Sequence, residues 1–368
     1  MVKTATIMSL DALLLLLMVC AACWAAPLKG SSGSFGERNV LLNDGASEAG
    51  GRKQKRVPRI IFLNAGGLSS SKLVPWLAER VAPSTEIIAM VELQGYSSEA
   101  LKSMGKALQF DYSRLMEVPS GFHIGLLSKF HLKNIVKHVD GFERGVLEAT
   151  ARLASGLSYN HAGTTLGIRI LVAHLNAHSD AAHRTEAAAL AKIAQDAIAD
   201  GDGVLVVGDL NFLSPTDNQK YVDEELVKSL SDNHEDILEK KYLLPTSGKI
   251  DYKPAWTLTD AGLMDLCADQ GGVLDRCWGT EPTLVKYDQV RGDETLRTRV
   301  LYALAGADFL NKFCKSFGQD QDHDRADRHR TVKVRKQVYA SAIRDQATGA
   351  LFDHYPIYVG CRDTEFFD

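Results

Sequence analysis

Asp209 and Asn211 stand two residues apart, directly after Val204-Leu205-Val206-Val207-Gly208. A carboxylate can take a proton from water, and a carboxamide can hold that water, or a phosphate oxygen, in line. Alternation along an extended chain puts the two on one side. The same pattern recurs along the chain. Asn64 follows Ile60-Ile61-Phe62-Leu63, and Glu92 follows Ile87-Ile88-Ala89-Met90-Val91. His174 follows Ile168 to Ala173, and Asp353-His354 follows Leu351-Phe352. Each has a plain structural account when taken singly. Asn and Gly-Asp form turns, a carboxylate can be solvated, and a histidine can be a satisfied core group. Taken in order, Asn, Glu, His, Asp-x-Asn and Asp-His form a series of titratable and hydrogen-bonding groups at or near strand ends.

Such groups act only if rigid elements fix them. The Val, Ile and Leu runs read as buried strands of a central sheet. The chain has 368 residues, 45% hydrophobic and 24% charged, which suits one large α/β domain with a full core. There is no internal repeat and no heptad pattern. The formal net charge of −4 gives no basic face overall. Nucleic acid is not excluded by that, because a metal ion supplies local positive charge. Lys333, Arg335, Lys336 and Arg344 cluster near Arg325, Arg328, His329 and Arg330, but Asp320, Asp322, Asp324 and Asp327 lie among them, and a solvated segment is the simpler reading.

Ala12 to Trp24 is apolar, is preceded by Lys3 and ends in Cys23-Trp24-Ala25, so residues 1–25 read as a secretory signal peptide. The run is short for a membrane span and Asp11 interrupts it. A secreted, extracellular protein follows, with no transmembrane segment in the mature chain. Residues 26–57 read as a disordered lead-in, Gly/Ser-rich and ending in the basic Arg52-Lys53-Gln54-Lys55-Arg56. Residues 58–362 form the remaining domain. Of six cysteines, Cys267, Cys277, Cys314 and Cys361 remain after the signal, an even number for an oxidising compartment. Four cysteines allow three pairings; Cys267–Cys277 with Cys314–Cys361 is favoured because the first pair closes a short loop.

The ordered series resembles that of the DNase-I-like endonuclease/exonuclease/phosphatase superfamily, from about Arg59 to about Gly360. Gly208-Asp209-Leu210-Asn211 and Asp353-His354-Tyr355-Pro356 are its specific elements. His174-Leu175-Asn176-Ala177, Gly125 to Lys129, Glu281-Pro282-Thr283 and Arg299 to Tyr302 are similar to further family segments. The resemblance implies an α/β (α+β) four-layer sandwich of two packed mixed β-sheets flanked by helices. It implies a metal-dependent phosphoric ester hydrolase, using Mg2+ or Mn2+ and acting as a monomer. The expected substrate is a phosphodiester in nucleic acid or a phospholipid headgroup, with a nuclease-like or sphingomyelinase-like activity.

Carried over residue by residue, Glu92 is the principal metal ligand, supported by Asn64 and by Asp353. Asp209 is the general base or orients the water, and Asn211 holds the phosphate or that water. His174 and His354 bind non-bridging oxygens, at least partly as imidazolium. The chain departs from the pattern where an aspartate is expected near Arg299: Thr298 and Leu301 stand there. His354 is therefore expected to lack its usual carboxylate, with Asp265 or Asp293 as substitutes. Residues 213–255 read as a long charged insertion beside the site. Two other readings stay open: a phosphatase of the inositol-polyphosphate 5-phosphatase type, and a catalytically weakened binding protein on the same fold.

Overall fold

β-Branched and leucine-rich runs pack well on a pleated surface, and the runs before Asn64, Glu92, His174 and Asp209 each form a strand. The computed structural model describes residues 59–80, 85–152, 167–223, 226–228, 240–268, 300–310, 325–327, 330–343, 348, 351–352 and 354–367. The signal-peptide and lead-in readings lie outside the described residues, as do Asp293, Thr298, Asp353, Cys277 and Cys314. The elements run in the order β1 (Arg59–Asn64), α1 (Ser70–Arg80), β2 (Thr85–Val91), α2 (Ser98–Ala107), β3 (Tyr112–Met116), β4 (Ile124–Ser128) and β5 (His131–His138). There follow β6 (Val146–Arg152), β7 (Gly167–His174), α3 (Asp180–Ala199), β8 (Gly203–Asp209), α4 (Asn218–Asp223) and α5 (Lys253–Asp260). The last are β9 (Leu263–Asp265), β10 (Leu301–Gly306), β11 (Arg325–Asp327), β12 (Arg330–Ala342) and β13 (Ile357–Phe367).

Two mixed sheets result. One has seven strands in the order β11-β12-β13-β1-β2-β4-β3, and the other six in the order β5-β6-β7-β8-β10-β9. Each contains a parallel pair, β1 with β2 and β7 with β8. Alternation along the strands divides the apolar side chains between two faces. Phe62, Ile87, Leu126, Ile170, Leu205 and Ala303 pack between the sheets. Ile61 and Met90 face outward against Trp76 and Leu77 of α1 and Leu101 of α2. On the far side, Leu171 and Val206 face Leu190 and Ala194 of α3 and Leu258 of α5. Helix, sheet, sheet, helix is the four-layer sandwich expected from the sequence. Both parallel pairs are buried on both faces, which is why their strands read as unbroken apolar runs.

Two local readings are corrected. His354 does not end an apolar strand: Leu351 is helical, and His354 lies in the segment that enters β13. Nor do Asp209 and Asn211 share an extended segment. β8 stops at Asp209, and Asn211 adopts a left-handed φ of 55°. Asn tolerates that conformation because its short side chain bonds locally.

Candidate functional site

The carboxyl ends of the two parallel pairs meet, one pair from each sheet. In β7 and β8, His174 and Asp209 are direct partners in register. Gly208 permits this, because a Cβ there would lie 2.4 Å from the Ala173 carbonyl oxygen. In the other sheet, Asn64 ends β1 opposite Val91, and Glu92 follows Val91 with a left-handed φ of 57°. That backbone is unfavourable for glutamate by about 1–2 kcal/mol. Neighbouring bonds hold it: Ala65 N–H donates to Val91 O at 2.9 Å and Gly67 N–H to Glu92 O at 3.0 Å.

The side chains then close across the sheets. Asn64 Nδ2 donates to Asp209 Oδ2 at 2.9 Å, and Asn64 also draws the Glu92 carboxyl down. Its own amide oxygen accepts from Gly66 N–H at 2.9 Å. In this arrangement Asn64 orients Asp209 and favours the charged form of Glu92. His354 Nε2 lies 3.7 Å from Asp209 Oδ2, and His174 Nε2 lies 3.6 Å from Glu92 Oε1. Asn211 Nδ2 donates to Leu175 O at 3.1 Å, tying the turn after β8 to the end of β7. Glu92, His174 and Asp209 offer donor atoms within 4.8 Å of one another.

Arg144, which the sequence reading passed over, completes the group. It lies just before β6, is only 5% exposed, and donates from Nη1 to His174 Nε2. Its guanidinium sits 4.5 Å from the Phe122 ring centroid, and Phe122 meets His174 edge-on. No carboxylate among the described residues is in ion-pair contact with Arg144. The available signal was an arginine in Gly141-Phe142-Glu143-Arg144-Gly145, immediately before an apolar strand.

Burial and neighbouring charge set the protonation states. Burial pushes the Glu92 carboxyl above its ordinary value, and Asp209 pushes it further, while Asn64, His354 and Arg144 pull it back. Burial holds His174 well below the usual imidazole range, and the Arg144, His354 and Lys241 charges add to this. Burial beside a guanidinium favours the neutral ring, accepting at Nε2, against the expectation of an imidazolium at His174. Its Nδ1 has no hydrogen-bond partner among the described residues. Lys241 comes from the 213–255 insertion and is 7% exposed. Arg184 Nε to Asp251 Oδ2 at 2.7 Å fastens that insertion to α3, so it borders the site.

No family model matches the chain, and no curated protein matches it in sequence. Solved structures do. A 3′-5′ exonuclease from Neisseria meningitidis superposes with a TM-score of 0.50 at 16% identity, over 82% of this chain and 98% of that one. An AP endonuclease from Archaeoglobus fulgidus gives 0.50 at 14% identity, over 84% and 99%. The chain has the DNase-I-like endonuclease/exonuclease/phosphatase fold.

Within this endonuclease/exonuclease/phosphatase fold, Asn64, Glu92, His174, Asp209 and His354 converge as the sequence series implied, and Asn211 stands at their edge. Asp353 lies outside the described residues. Leu301 occupies the position in register with Asp209 and is completely buried. His354 is not left without a carboxylate, because Asp209 itself faces it. Asp265 does not substitute: it pairs with Leu304, farther along β10, and accepts from Cys267 N–H at 2.9 Å.

Proposed function

We propose that the chain is a divalent-metal-dependent hydrolase of phosphoester bonds, and more finely a phosphodiesterase. One observation carries this reading. A buried guanidinium with no paired carboxylate among the described residues stands beside two carboxylates that converge on one point. The guanidinium suits an anionic oxygen, and the carboxylates suit a hard cation. Burial, and after it the Asp209 charge, raises Glu92, and Mg2+ or Mn2+ would relieve the repulsion between the two carboxylates.

Glu92 would hold the cation, with Asn64 beside it; when bound, the cation would withdraw charge from the phosphoryl oxygens. Asp209, held by Asn64, takes a proton from the attacking water. Arg144 binds a non-bridging oxygen, and neutral His174 holds the guanidinium by accepting from it at Nε2. His354 stabilises the charge that gathers as the P–O bond breaks. Asn211 fixes the turn that carries Asp209.

The test is purified protein with magnesium against plasmid DNA, RNA, sphingomyelin and bis(p-nitrophenyl) phosphate. Chelator-sensitive cleavage of a diester is expected, and the responsive substrate distinguishes nucleic acid from a phospholipid headgroup. No turnover on any of the four overturns the reading, and full activity in excess chelator removes the metal from it. We propose export as well, from residues 1–25; N-terminal sequencing of the mature protein checks it by finding the new terminus near Ala26.

A further inference from the structure

The helix after β7 carries a buried acid on its largely apolar inner side. Glu186 of α3 is 4% exposed. Its two carboxylate oxygens serve two separate chain segments. Oε1 accepts Glu143 N–H at 2.6 Å, and Oε2 accepts Asn176 N–H at 2.6 Å. Glu143 precedes Arg144, and Asn176 lies two residues beyond His174. The segments also touch directly: His174 N–H donates to Gly145 O at 3.2 Å, and the Asn176 side chain donates to Glu143 Oε2. A carboxylate is all acceptor, so it alone among side chains of this length can take both N–H groups at once.

We infer that Glu186 is a positioning residue, which fixes the guanidinium of Arg144 against the imidazole of His174 by clamping the backbone beside each. The inference rests on the reading of Arg144 as the phosphate-facing cation. A side chain there that clamped only for stability would act alike whether or not Arg144 is present. A positioning residue loses its effect once the group it positions is gone.

The experiment is a double-mutant cycle on the full chain with magnesium and bis(p-nitrophenyl) phosphate. Glu186→Gln keeps the volume but sets an NH2 group against one N–H donor. Its kcat should fall about tenfold or more, since small misplacements of a binding group cost that much. In an Arg144→Ala background the same change should alter kcat less than about twofold, as expected of residues acting through one another. Glu186→Asp, too short to reach both segments, should behave like Glu186→Gln. Equal losses in both backgrounds, or parent-level kcat in Glu186→Gln, overturn the inference. A second arm is independent of hydrolysis: calorimetric affinity for inorganic phosphate. Weaker binding in Glu186→Gln, absent in the Arg144→Ala background, supports the inference even if the parent cleaves no diester, which would sink only the proposed function. If parent and Arg144→Ala bind phosphate alike, the inference falls. Should Glu186→Gln fail to fold, the cycle is run with Glu186→Asp and decides in the same way.

Discussion

Two arginines bracket the same pair of strands and are treated in opposite ways. Arg169, toward the start of β7, is ringed by acids. Asp202 Oδ2 lies 2.9 Å from its Nε and 2.5 Å from its Nη2, with Asp200 at 3.0 Å and Glu148 at 3.4 Å. These partners raise its pKa against the opposing pull of burial. Arg144, at the other end of β6 and β7, is more deeply buried but donates to a neutral imidazole and lies over a phenyl ring. A buried charge is expensive unless it is paired. Among the described residues, the far end pairs its cation with acids, and the near end sets its cation against a neutral ring. On the proposed function, that difference separates a structural charge from a binding charge within one architecture.

The largest test of this comparison removes charge at the near end. Glu92→Gln and Asp209→Asn keep shape but delete the carboxylates; each should lower kcat by about a thousandfold or more while circular dichroism stays native. Steady-state kinetics on whichever diester is cleaved checks it, and a variant retaining parent turnover breaks the assignment of its residue. Arg144→Ala comes next. Turnover should fall about a hundredfold, as for loss of one donor to a developing anion, with the melting temperature unchanged or higher because a buried cation with no carboxylate partner among the described residues is gone. A large loss of stability would place Arg144 with Arg169 and erase the contrast.

Acid should also act at the near end. Burial pushes His183 down to about 4, although its hydrogen bond to the Asn176 carbonyl opposes this. Between that value and the unperturbed 6.5, the unfolded chain binds the proton and the folded chain does not. Stability is therefore complete above about pH 6.5 and declines as pH falls toward 4. The decline reaches about 3 kcal/mol at 1.36 kcal/mol per unit. Urea unfolding at pH 7 and pH 4.5 measures it, and His183→Asn should flatten the dependence. The smallest effect belongs to the far end. Arg169→Ala should cost about 1–2 kcal/mol of stability through its lost charge-assisted bonds and leave kcat alone. A change in kcat would mean that the two ends are coupled.

What was legible in the sequence was whatever strand periodicity controls. Asn64, Glu92, His174 and Asp209 could be found because each closes an apolar run, and a buried parallel pair needs such a run. His354 was found by its Asp-His-x-Pro neighbourhood, although the strand it serves follows it instead of preceding it. Arg144 and Glu186 were not legible, because their roles depend on contacts between segments that no local pattern encodes. Arg144 looks like any loop arginine until Phe122 and His174 close on it. Glu186 looks like a solvent-facing acid on an alanine-rich helix until its oxygens are traced to two backbones. Period-two reasoning failed at Asn211 because the strand stops one residue after Gly208, and only three-dimensional context reveals the turn.

The left-handed backbone at Glu92 sets a direction for drift. Glycine adopts that conformation freely, and replacing the acid would also end the repulsion from Asp209. Glu92→Gly should therefore yield a dead protein that is no less stable than the parent, and by about 1 kcal/mol more so if the strain is fully released. Thermal melting of that variant beside the parent reads this directly. For such a site, inactivity lies downhill, so a lineage relieved of the need for catalysis would shed this glutamate early without losing its fold.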